Sequence, residues 1–345
     1  MANIDVGIDV GIDLGTSATK IYTRDRGVVL NEPSMVAVDR DTEELLAIGS
    51  DAYRMLGRTS DRIAAVYPLR DGVISHYDLA EAMLTSFVKM VCGNKMFMPR
   101  IVVCVPIGIS EVERRAVVDA LRAAGARKVC LIDEAIAAAM GADLDIAQPY
   151  GHLVCDIGGG TTDVGVLTLN GLAVSESIKV AGNTFDAAII KAIKQTHNLL
   201  IGPRTAENIK KEIGGVFPRD RLLVGIVKGR DMTTGMPRQI EVTSDELMEA
   251  LEEPGILICR AIQSVLERTP PELIGDIYER GVILTGGSSM LYGMDKLIAK
   301  KTRLRALVSH DPQMCVVLGT GRALDFMDAV TDVENATSPL DIYSY

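Results

Sequence analysis

The chain contains two copies of one short pattern, and this internal repetition limits the folds that are open to it. Each copy is an apolar segment that ends in Asp, a turn rich in Gly and hydroxyl residues, and a second apolar segment. The first copy spans 11–22 around Asp13, and the second spans 154–167 around Asp156. Successive backbone N–H groups in a glycine-rich turn form a concave site for an anion. The repetition therefore predicts two related lobes that face one phosphate-bearing ligand.

Each motif taken alone has a plainer interpretation, because Asp and Gly are also common in ordinary tight turns. Two copies with the same order of Asp, Gly and Thr make ligand binding the stronger interpretation. A smaller repeat, 6–9 followed by 10–13, offers Asp9 as an alternative to Asp13. Only the segment that ends in Asp13 continues into the Gly and Thr turn, so we take Asp13 as the functional carboxylate.

The order of apolar segments is typical of an α/β chain. Short β-branched segments at 101–105 and 129–132 flank a helical pattern at 110–124, which indicates sheets covered by helices. Ser110 and Glu113 have the spacing of a capping box at the start of that helix. A chain of 345 residues is longer than a single core needs, which supports two lobes.

The composition excludes some partners. The formal net charge of −10 argues against nucleic acid, whose phosphates are bound by clustered Lys and Arg. We find neither a signal-peptide pattern nor an apolar segment long enough to span a membrane, and so expect a cytoplasmic protein. The cysteines form no C-x-x-C pair, which predicts buried, reduced thiols. They are Cys92, Cys104, Cys130, Cys155, Cys259 and Cys315.

The two turns carry the groups that a nucleotide and its metal ion need. The carboxylates of Asp13 and Asp156 suit Mg²⁺, which keeps most of its water ligands when it binds to proteins. No G-x-x-x-x-G-K-[ST] segment is present, so a P-loop is not the source of phosphate binding. Hydroxyl groups that add hydrogen-bond donors come from Thr16, Ser17, Thr161 and Thr162.

Two further segments extend the pattern beyond the phosphates. Glu207 and Lys210 are three residues apart, so they share one face if this segment is helical; a solvated charge pair is the alternative. An apolar strand at 282–284 leads into a Gly and Ser turn at 286–289. There a base or a ribose can approach the backbone closely.

Taken in this order, the four pieces resemble the actin, sugar kinase and heat-shock chaperone superfamily, and shorter matches narrow the resemblance to the MreB family. It covers nearly the whole chain, from about residue 11 to about residue 321. It implies an α/β, actin-like (ribonuclease H-like) fold with two related lobes around a nucleotide cleft. The segments similar to the MreB family are 31–34, 68–74, 105–109, 113–116, 156–162 and 269–273.

The resemblance also implies a division into domains. The loop at 148–151 is the predicted boundary between the lobes. Domain I would span 1–150, with a small insert at about 33–70, and would be completed by 313–345; domain II would span 151–312, with an insert at about 183–246.

The same resemblance assigns roles to single residues. Asp13 and Asp156 would hold Mg²⁺ through water, and Glu134 would orient the attacking water, with Thr161 and Asp156 as its catalytic partners. These roles suit phosphoryl transfer to water, in which positioning and charge neutralisation supply most of the catalysis. The residues implied to bind ATP are Gly15, Thr16, Ser17, Ala18 and Lys20 in the first lobe; Gly158, Gly159, Gly160 and Thr161 in the second turn; and Glu207, Asn208, Ile209, Lys210, Gly286, Gly287, Ser288 and Ser289 around the adenosine.

The chain departs from the family pattern at three places. The family usually has Glu-Glu-Pro where this chain has Asp-Glu-Ala at 133–135, and we prefer Glu134 over Asp133 as the catalytic carboxylate. The adenosine turn has Ser288 in place of a third glycine. Lys20 lies where the family tends to be apolar and where actin has a phosphate-contacting lysine. We hypothesise that Lys20 reaches the β- and γ-phosphates; the alternative is a strand lysine that points outward.

The resemblance implies a homopolymer of paired protofilaments on the inner face of the cytoplasmic membrane, with membrane proteins of the cell-elongation machinery as partners. An apolar segment at 96–98 lies between turn-like residues, and we predict that Met96 and Phe97 enter the bilayer. Packing of Phe97 in the core is the alternative. Because anionic lipids repel an acidic surface, this contact must be apolar rather than electrostatic.

The sequence thus predicts a slow ATPase that polymerises and organises cell shape and cell-wall synthesis. Three alternatives remain open. A small-molecule kinase would need a substrate pocket, and no segment matches one. A chaperone-like ATPase would need a further domain after Gly321, for which we expect no room. A protein that binds ATP without cleaving it is consistent with the altered segment at 133–135.

Overall fold

The computed structural model describes residues 8–93 and 98–327. Within these ranges the chain alternates between strands and helices. The strands are β1 (Asp9–Leu14), β2 (Ala18–Thr23), β3 (Gly27–Pro33), β4 (Val36–Asp39), β5 (Leu45–Ile48), β6 (Ile63–Val66), β7 (Leu69–Arg70), β8 (Val73–Ile74), β9 (Arg100–Val105), β10 (Lys128–Asp133), β11 (His152–Ile157), β12 (Thr162–Thr168), β13 (Gly171–Ile178), β14 (Leu199–Leu200), β15 (Val224–Asp231), β16 (Pro237–Thr243), β17 (Val282–Thr285) and β18 (Ala306–Val308). The α-helices are α1 (Ser50–Met55), α2 (Tyr77–Cys92), α3 (Glu111–Ala123), α4 (Glu134–Gly141), α5 (Gly182–His197), α6 (Pro203–Ile213), α7 (Ser244–Arg268), α8 (Pro271–Arg280), α9 (Met294–Thr302) and α10 (Cys315–Ala323).

Two five-stranded sheets with the same topology form the two lobes. The first has the order β3-β2-β1-β9-β10, and the second has the order β13-β12-β11-β17-β18. In each sheet the first three strands form an antiparallel meander, and the last two continue in parallel from its inner strand. The predicted α/β class and the two related lobes are therefore confirmed at the level of strand order.

The duplicated motif occupies equivalent positions in the two sheets. Asp13 lies near the end of β1 and pairs across the hairpin with Lys20 of β2. Asp156 lies near the end of β11 and pairs in the same way with Asp163 of β12. The two hairpins differ mainly in the residue opposite the Asp, which is a cation in the first lobe and a carboxyl group in the second.

The sequence signals of α3 are confirmed. Ser110 is the N-cap, its hydroxyl accepts the backbone N–H of Glu113, and the Glu113 carboxylate accepts the N–H of Ser110. Such a reciprocal cap satisfies two of the N–H groups that a helix start leaves unpaired. Beyond the C-terminal end, Gly125 has φ of +98°, a conformation that favours glycine.

A hydrophobic cluster joins the lobes beneath the cleft, and α4 and α10 lie at its centre. Helix α4 continues directly from β10 of the first sheet and packs against β11 and β12 of the second, whereas α10 packs against β1 and β2 of the first. The helices touch through glycines. A Cβ atom added to Gly141 would lie 1.7 Å from the carbonyl oxygen of Cys315, and one added to Gly319 would lie 1.8 Å from that of Ala137. Any side chain at either position would force the helices apart.

Each lobe also carries a smaller sheet. Strands β4, β5 and β6 form an antiparallel sheet that lies, together with α1, inside the insert predicted at about 33–70. Strands β14, β15 and β16 form the second small sheet, inside the insert predicted at about 183–246. Helix α10 lies with the first sheet, where the predicted return of the chain after residue 312 would bring it. The domain boundaries themselves stay a prediction.

The cysteines and the apolar content of the helices are the features that the composition addressed. All six cysteines are buried thiols that form no disulfide with one another, as predicted. No helix among the described residues is long and apolar enough to span a membrane.

Candidate active site

The two glycine-rich turns meet face to face at the base of the cleft between the lobes. A Cβ atom added to Gly159 would lie 2.0 Å from the hydroxyl oxygen of Ser17, and one added to Gly160 would lie 2.4 Å from that of Thr16. Glycine is therefore needed at both positions for the turns to approach. The structure brings together the two halves of the predicted phosphate site, which lie far apart in the chain.

Hydrogen bonds of three hydroxyl groups stabilise the first turn. Ser34 donates a hydrogen bond of 2.6 Å to the carbonyl oxygen of Gly15, and its hydroxyl also bonds to that of Thr19 at 2.8 Å. The Thr16 hydroxyl accepts the N–H of Gly72 at 2.9 Å. These contacts leave the outer face of the turn to interact with the second lobe.

Lys20 and Asp13 form an ion pair inside the cleft. The Lys20 Nζ atom lies 2.6 Å from Asp13 Oδ2, and the side chains are 13% and 9% exposed. Burial alone would lower the pKa of Lys20, but the neighbouring Asp13 carboxylate outweighs it and raises that pKa. Lys20 stays charged and does not point outward from the strand. The Lys20 ammonium group therefore lies beside Asp13, which is predicted to hold Mg²⁺.

Asp156 occupies the equivalent place in the second lobe. The hydroxyl of Thr285 donates a hydrogen bond of 2.7 Å to its Oδ1 atom. Burial raises the pKa of Asp156 to about 7, opposed by the Thr285 hydrogen bond and reinforced by Asp163 and Asp13. A nearby cation would lower the pKa of this buried carboxyl group, because the cation stabilises the charged form.

Glu134 and Asp163 form a buried carboxyl pair next to these groups. They are 7% and 0% exposed and lie within hydrogen-bonding reach of one another. Burial, followed by the charges of Asp163, Asp156 and Asp13, raises the pKa of Glu134 well above its ordinary range. Burial also raises the pKa of Asp163 to about 6, although hydrogen bonds limit the rise. Two carboxylates cannot bond to each other without a proton, so the pair is satisfied when it shares one.

Asp163 is a site residue that sequence reasoning did not single out. Its Oδ1 atom accepts the backbone N–H of Ile107 at 2.8 Å, so it links the second lobe to the loop after β9 in the first. Its Oδ2 atom has no donor among the described residues. The sequence signal that could have identified Asp163 was a charged residue near the start of an otherwise apolar strand. In the folded sheet it lies opposite Asp156.

The structure separates the two adjacent acids at 133–134. Glu134 is the first residue of α4 and belongs to the carboxyl cluster described above. Asp133 is the N-cap of α4, and its Oδ1 atom lies 3.7 Å from Nη2 of Arg114 on α3. Its side chain therefore faces a different environment.

Helix α6 presents Glu207 and Lys210 on one face, as their spacing predicts. Lys210 donates to the carbonyl oxygen of Gly182 at 2.9 Å and pairs with Asp186 at 2.8 Å. Glu207 accepts the hydroxyl of Tyr53 at 2.7 Å. Of the two residues between them, Ile209 is buried in the core of the second lobe and Asn208 is exposed, so neither belongs to this polar network.

The turn after β17 packs against the second glycine-rich turn. Gly286 has φ of +79°, and a Cβ atom there would lie 2.3 Å from the carbonyl oxygen of Ile157, which explains the requirement for glycine. Ser288 donates to the carbonyl oxygen of Gly158 at 2.7 Å, and Ser289 donates to that of Gly286 at 2.7 Å. Gly287 has no such restriction, because the nearest atom to an added Cβ is 3.7 Å away.

The residues at the base of the cleft fit a magnesium nucleotide. No group of three or more His, Cys, Asp or Glu in the described ranges could hold a metal ion by itself. Mg²⁺ commonly binds to one or two protein carboxylates and completes its shell with water and phosphate oxygens, and Asp13 and Asp156 are the carboxylates that could serve. The raised pKa values of Asp156, Asp163 and Glu134 indicate buried carboxyl groups that one lysine does not neutralise. A divalent cation would supply the missing positive charge.

Comparison with known proteins decides the family. The family model described as "MreB/Mbl protein" matches residues 7–332. The chain belongs to the MreB/Mbl family. It is 47% identical over 325 residues to the cell shape-determining protein Mbl of Bacillus cereus, covering 94% of this chain and 96% of that protein. It is 45% identical over 319 residues to the cell shape-determining protein MreB of Escherichia coli K12, covering 91% and 92%.

Solved structures of MreB proteins share the architecture. The crystal structure of MreB5 of Spiroplasma citri bound to ADP is 36% identical, with a TM-score of 0.88, and the match covers 91% of this chain and 95% of that one. The same protein bound to AMPPNP gives a TM-score of 0.87. The predicted actin-like fold is therefore confirmed. Membership of the MreB/Mbl family argues against the small-molecule kinase and chaperone-like alternatives. Met96 and Phe97 lie outside the described residues.

Proposed function

We propose that this chain is an ATP-binding, actin-like protein that assembles into filaments and organises cell shape. The observation that carries the proposal is the contact between two equivalent glycine-rich turns, one from each lobe, at Gly159 and Gly160 against Ser17 and Thr16. Nucleotide-bound MreB5 structures and the role named for the Mbl and MreB relatives support it. A ligand that contacts both turns would favour closure of the lobes, so closure would depend on whether the ligand is bound.

We propose that the chain also hydrolyses ATP slowly. When bound, ATP would supply the γ-phosphoryl group and Mg²⁺ would neutralise its charge, with Asp13 and Asp156 holding the ion through water. Lys20 would add positive charge beside Asp13, from which it lies 2.6 Å away. Backbone N–H groups of the two turns would bind phosphate oxygens, and Glu207 and Lys210 would bind the adenosine side.

The carboxyl pair supports a role for Glu134 in aligning water. A carboxylate oxygen can accept a hydrogen bond from water, and alignment of that water contributes much of the catalysis in phosphoryl transfer. Asp163 lies against Glu134 and is anchored by the Ile107 N–H. Thr161 lies in the same turn as the glycines and packs near Gly72. A Cβ atom added to Gly72 would lie 3.1 Å from the Thr161 methyl group.

The finer parts of the proposal concern the assembly. We propose paired protofilaments on the inner face of the cytoplasmic membrane, acting with membrane proteins of the cell-elongation machinery. Met96 and Phe97 would enter the bilayer. Exposure of the following residue, Met98, at 61% supports this placement. Because one filament carries many such loops, weak single contacts would add up to firm attachment.

Phosphate release and sedimentation, measured together on purified protein with ATP and Mg²⁺, test the proposed function. We expect slow release of phosphate that accompanies a sedimentable polymer, visible as filaments by negative-stain electron microscopy. The Gly160→Ala variant should lose both, because the added methyl group collides with Thr16. Gly275→Ala in α8 is the control, because nothing lies within 4 Å of a Cβ atom there. Absence of nucleotide binding by the wild-type protein would refute the proposal, and polymer without phosphate release would refute only hydrolysis.

Liposome co-sedimentation tests the membrane part. We expect the Met96→Ser, Phe97→Ser double variant to polymerise normally and to lose most of its liposome binding. Undiminished binding by this variant would assign the attachment to another segment.

A further inference from the structure

A tyrosine from the small insert of the first lobe reaches across the cleft to the second lobe. Tyr53 lies on α1, and its hydroxyl donates a hydrogen bond of 2.7 Å to Oε2 of Glu207 on α6. The two residues are 154 positions apart in the chain. The contact lies at the side of the cleft where the adenosine is proposed to bind.

The other oxygen of Glu207 is also engaged. Lys211, one helical turn further along α6, lies 2.6 Å from Oε1, a spacing that brings side chains together on a helix. Although burial alone would raise the pKa of Glu207, the bonds from Lys211 and Tyr53 outweigh it and lower that pKa. Glu207 therefore stays ionised, and its orientation is fixed from two sides. The bond on the cleft side comes from Tyr53.

Arg204 strengthens the same contact. Its guanidinium carbon lies 5.3 Å from the centre of the Tyr53 ring, within the range of a cation–π interaction. Its Nη1 atom is buried and has no hydrogen-bond partner among the described residues. Arg204 and Glu207 are three residues apart and share one face of α6. They contact the ring and the hydroxyl of Tyr53 respectively.

We propose that Tyr53 is a positioning residue of the nucleotide site, which holds Glu207 in place and fastens the small insert over the cleft, so that it slows the release of bound adenine nucleotide. This inference rests on the proposed nucleotide-binding function. The base of the cleft is closed by the close approach of the two glycine-rich turns and by the hydrogen bond from the Ile107 N–H to Asp163. The adenosine side is bridged by side chains that can separate without unfolding any strand.

The Tyr53→Phe variant removes the hydroxyl group and keeps the ring under Arg204. A hydrogen bond to a charged group stabilises a folded arrangement enough that its loss should speed nucleotide release about tenfold. The association rate should change by less than about twofold, because changes within one interface act mainly on dissociation. Tyr67→Phe is the matched control. Tyr67 lies in the electrostatic field of the same Glu207, and burial, followed by Glu207 and Asp186, raises its pKa to about 12.

Stopped-flow measurement with a fluorescent ATP analogue and Mg²⁺ gives both rates for the full chain. We expect faster dissociation from Tyr53→Phe and wild-type rates from Tyr67→Phe. The double variant Tyr53→Phe, Glu207→Ala should dissociate no faster than Glu207→Ala alone, because each change removes the same hydrogen bond. If each substitution only weakened the fold, the increases in dissociation rate of the two single variants would instead multiply in the double variant.

Each remaining outcome overturns the inference. Wild-type dissociation from Tyr53→Phe, or an equal acceleration in Tyr67→Phe, would remove the role of Tyr53 while leaving nucleotide binding intact. A wild-type protein that binds no analogue would refute the proposed function together with the inference. Thermal unfolding of each variant, with a midpoint expected within about 2 °C of wild type, verifies that the fold is retained.

Discussion

Four buried carboxyl groups and one lysine define the chemistry at the base of the cleft. Asp13 is neutralised directly by Lys20, whereas Asp156, Asp163 and Glu134 have raised pKa values because they are buried near one another. Such a cluster is costly to leave charged without a cation. At the scale of single residues, we therefore expect a divalent cation such as Mg²⁺ to stabilise the site.

The role of Glu134 can be separated from that of its neighbour by substitution. We expect Glu134→Gln to lower the rate of phosphate release about 100-fold or more, the usual contribution of a positioned acid or base, while ATP affinity stays within about threefold. Asp133→Asn is the control, because Asp133 faces Arg114 on α3 and should retain most activity. Single-turnover phosphate release and nucleotide titration measure the two quantities. Loss of activity in Asp133→Asn alone would transfer the role to that residue.

The residues that sequence reasoning found are those with a local signature. Asp13 and Asp156 stand in a repeated pattern, and the glycines of the two turns mark close approach. Asp163 and Tyr53 were missed because their partners come from distant parts of the chain: Ile107 is 56 positions from Asp163, and Glu207 is 154 positions from Tyr53. No spacing rule along the chain predicts such contacts.

At the scale of elements, the crossing of α4 and α10 determines how the lobes are joined. The two helices approach so closely that backbone meets backbone at Gly141 and Gly319. The sequence predicted α3 well, because its capping residues lie beside the helix that they stabilise. It could not predict this crossing, because a glycine inside a helix carries no local sign of the neighbour that requires it.

The Gly319→Ala substitution tests the crossing. We expect a loss of about 3 kcal/mol in the free energy of unfolding, because the added methyl group overlaps the carbonyl oxygen of Ala137 and forces the helices apart. Gly275→Ala, in the open middle of α8, should instead stabilise by up to about 1 kcal/mol, since Ala favours the helix over Gly. Urea denaturation measures both changes. Equal and small effects would mean that the crossing adjusts without cost.

At the scale of the whole molecule, the internal repetition determines the architecture. Both main sheets have the same order of strands, and the duplicated motif predicted this relation because it marks the same hairpin in each lobe. The two small sheets differ in sequence and in position along the chain. The main lobes are thus predictable from the repeat, whereas contacts made by the inserts, including that of Tyr53, follow only from the folded structure.

The buried carboxyl groups predict how stability depends on pH. A carboxyl group whose pKa is raised by folding binds its proton more tightly in the folded state, so stability is lost as pH rises through the raised pKa. With the pKa of Asp156 at about 7, we expect the metal-free protein in EDTA to lose about 1 kcal/mol between pH 6.5 and pH 8. Thermal unfolding across this range measures the loss. Asp156→Asn should reduce this loss without abolishing it, because the pKa of Glu134 is also raised, and a profile that rises with pH in the wild-type protein would contradict the prediction.

The meeting of α4 and α10 has a mechanical consequence. Helix α4 follows directly on β10 of the first sheet and packs against β11 and β12 of the second. Its backbone meets that of α10 at Gly141 and Gly319 with no intervening side chain, so we expect a rotation between the lobes to be centred near that point. The crossing then serves as a pivot, with the small sheets as the long arms. A slight rotation there would move the tips of the arms much further, so a small change at the proposed phosphate site would be enlarged at the outer surface of the molecule.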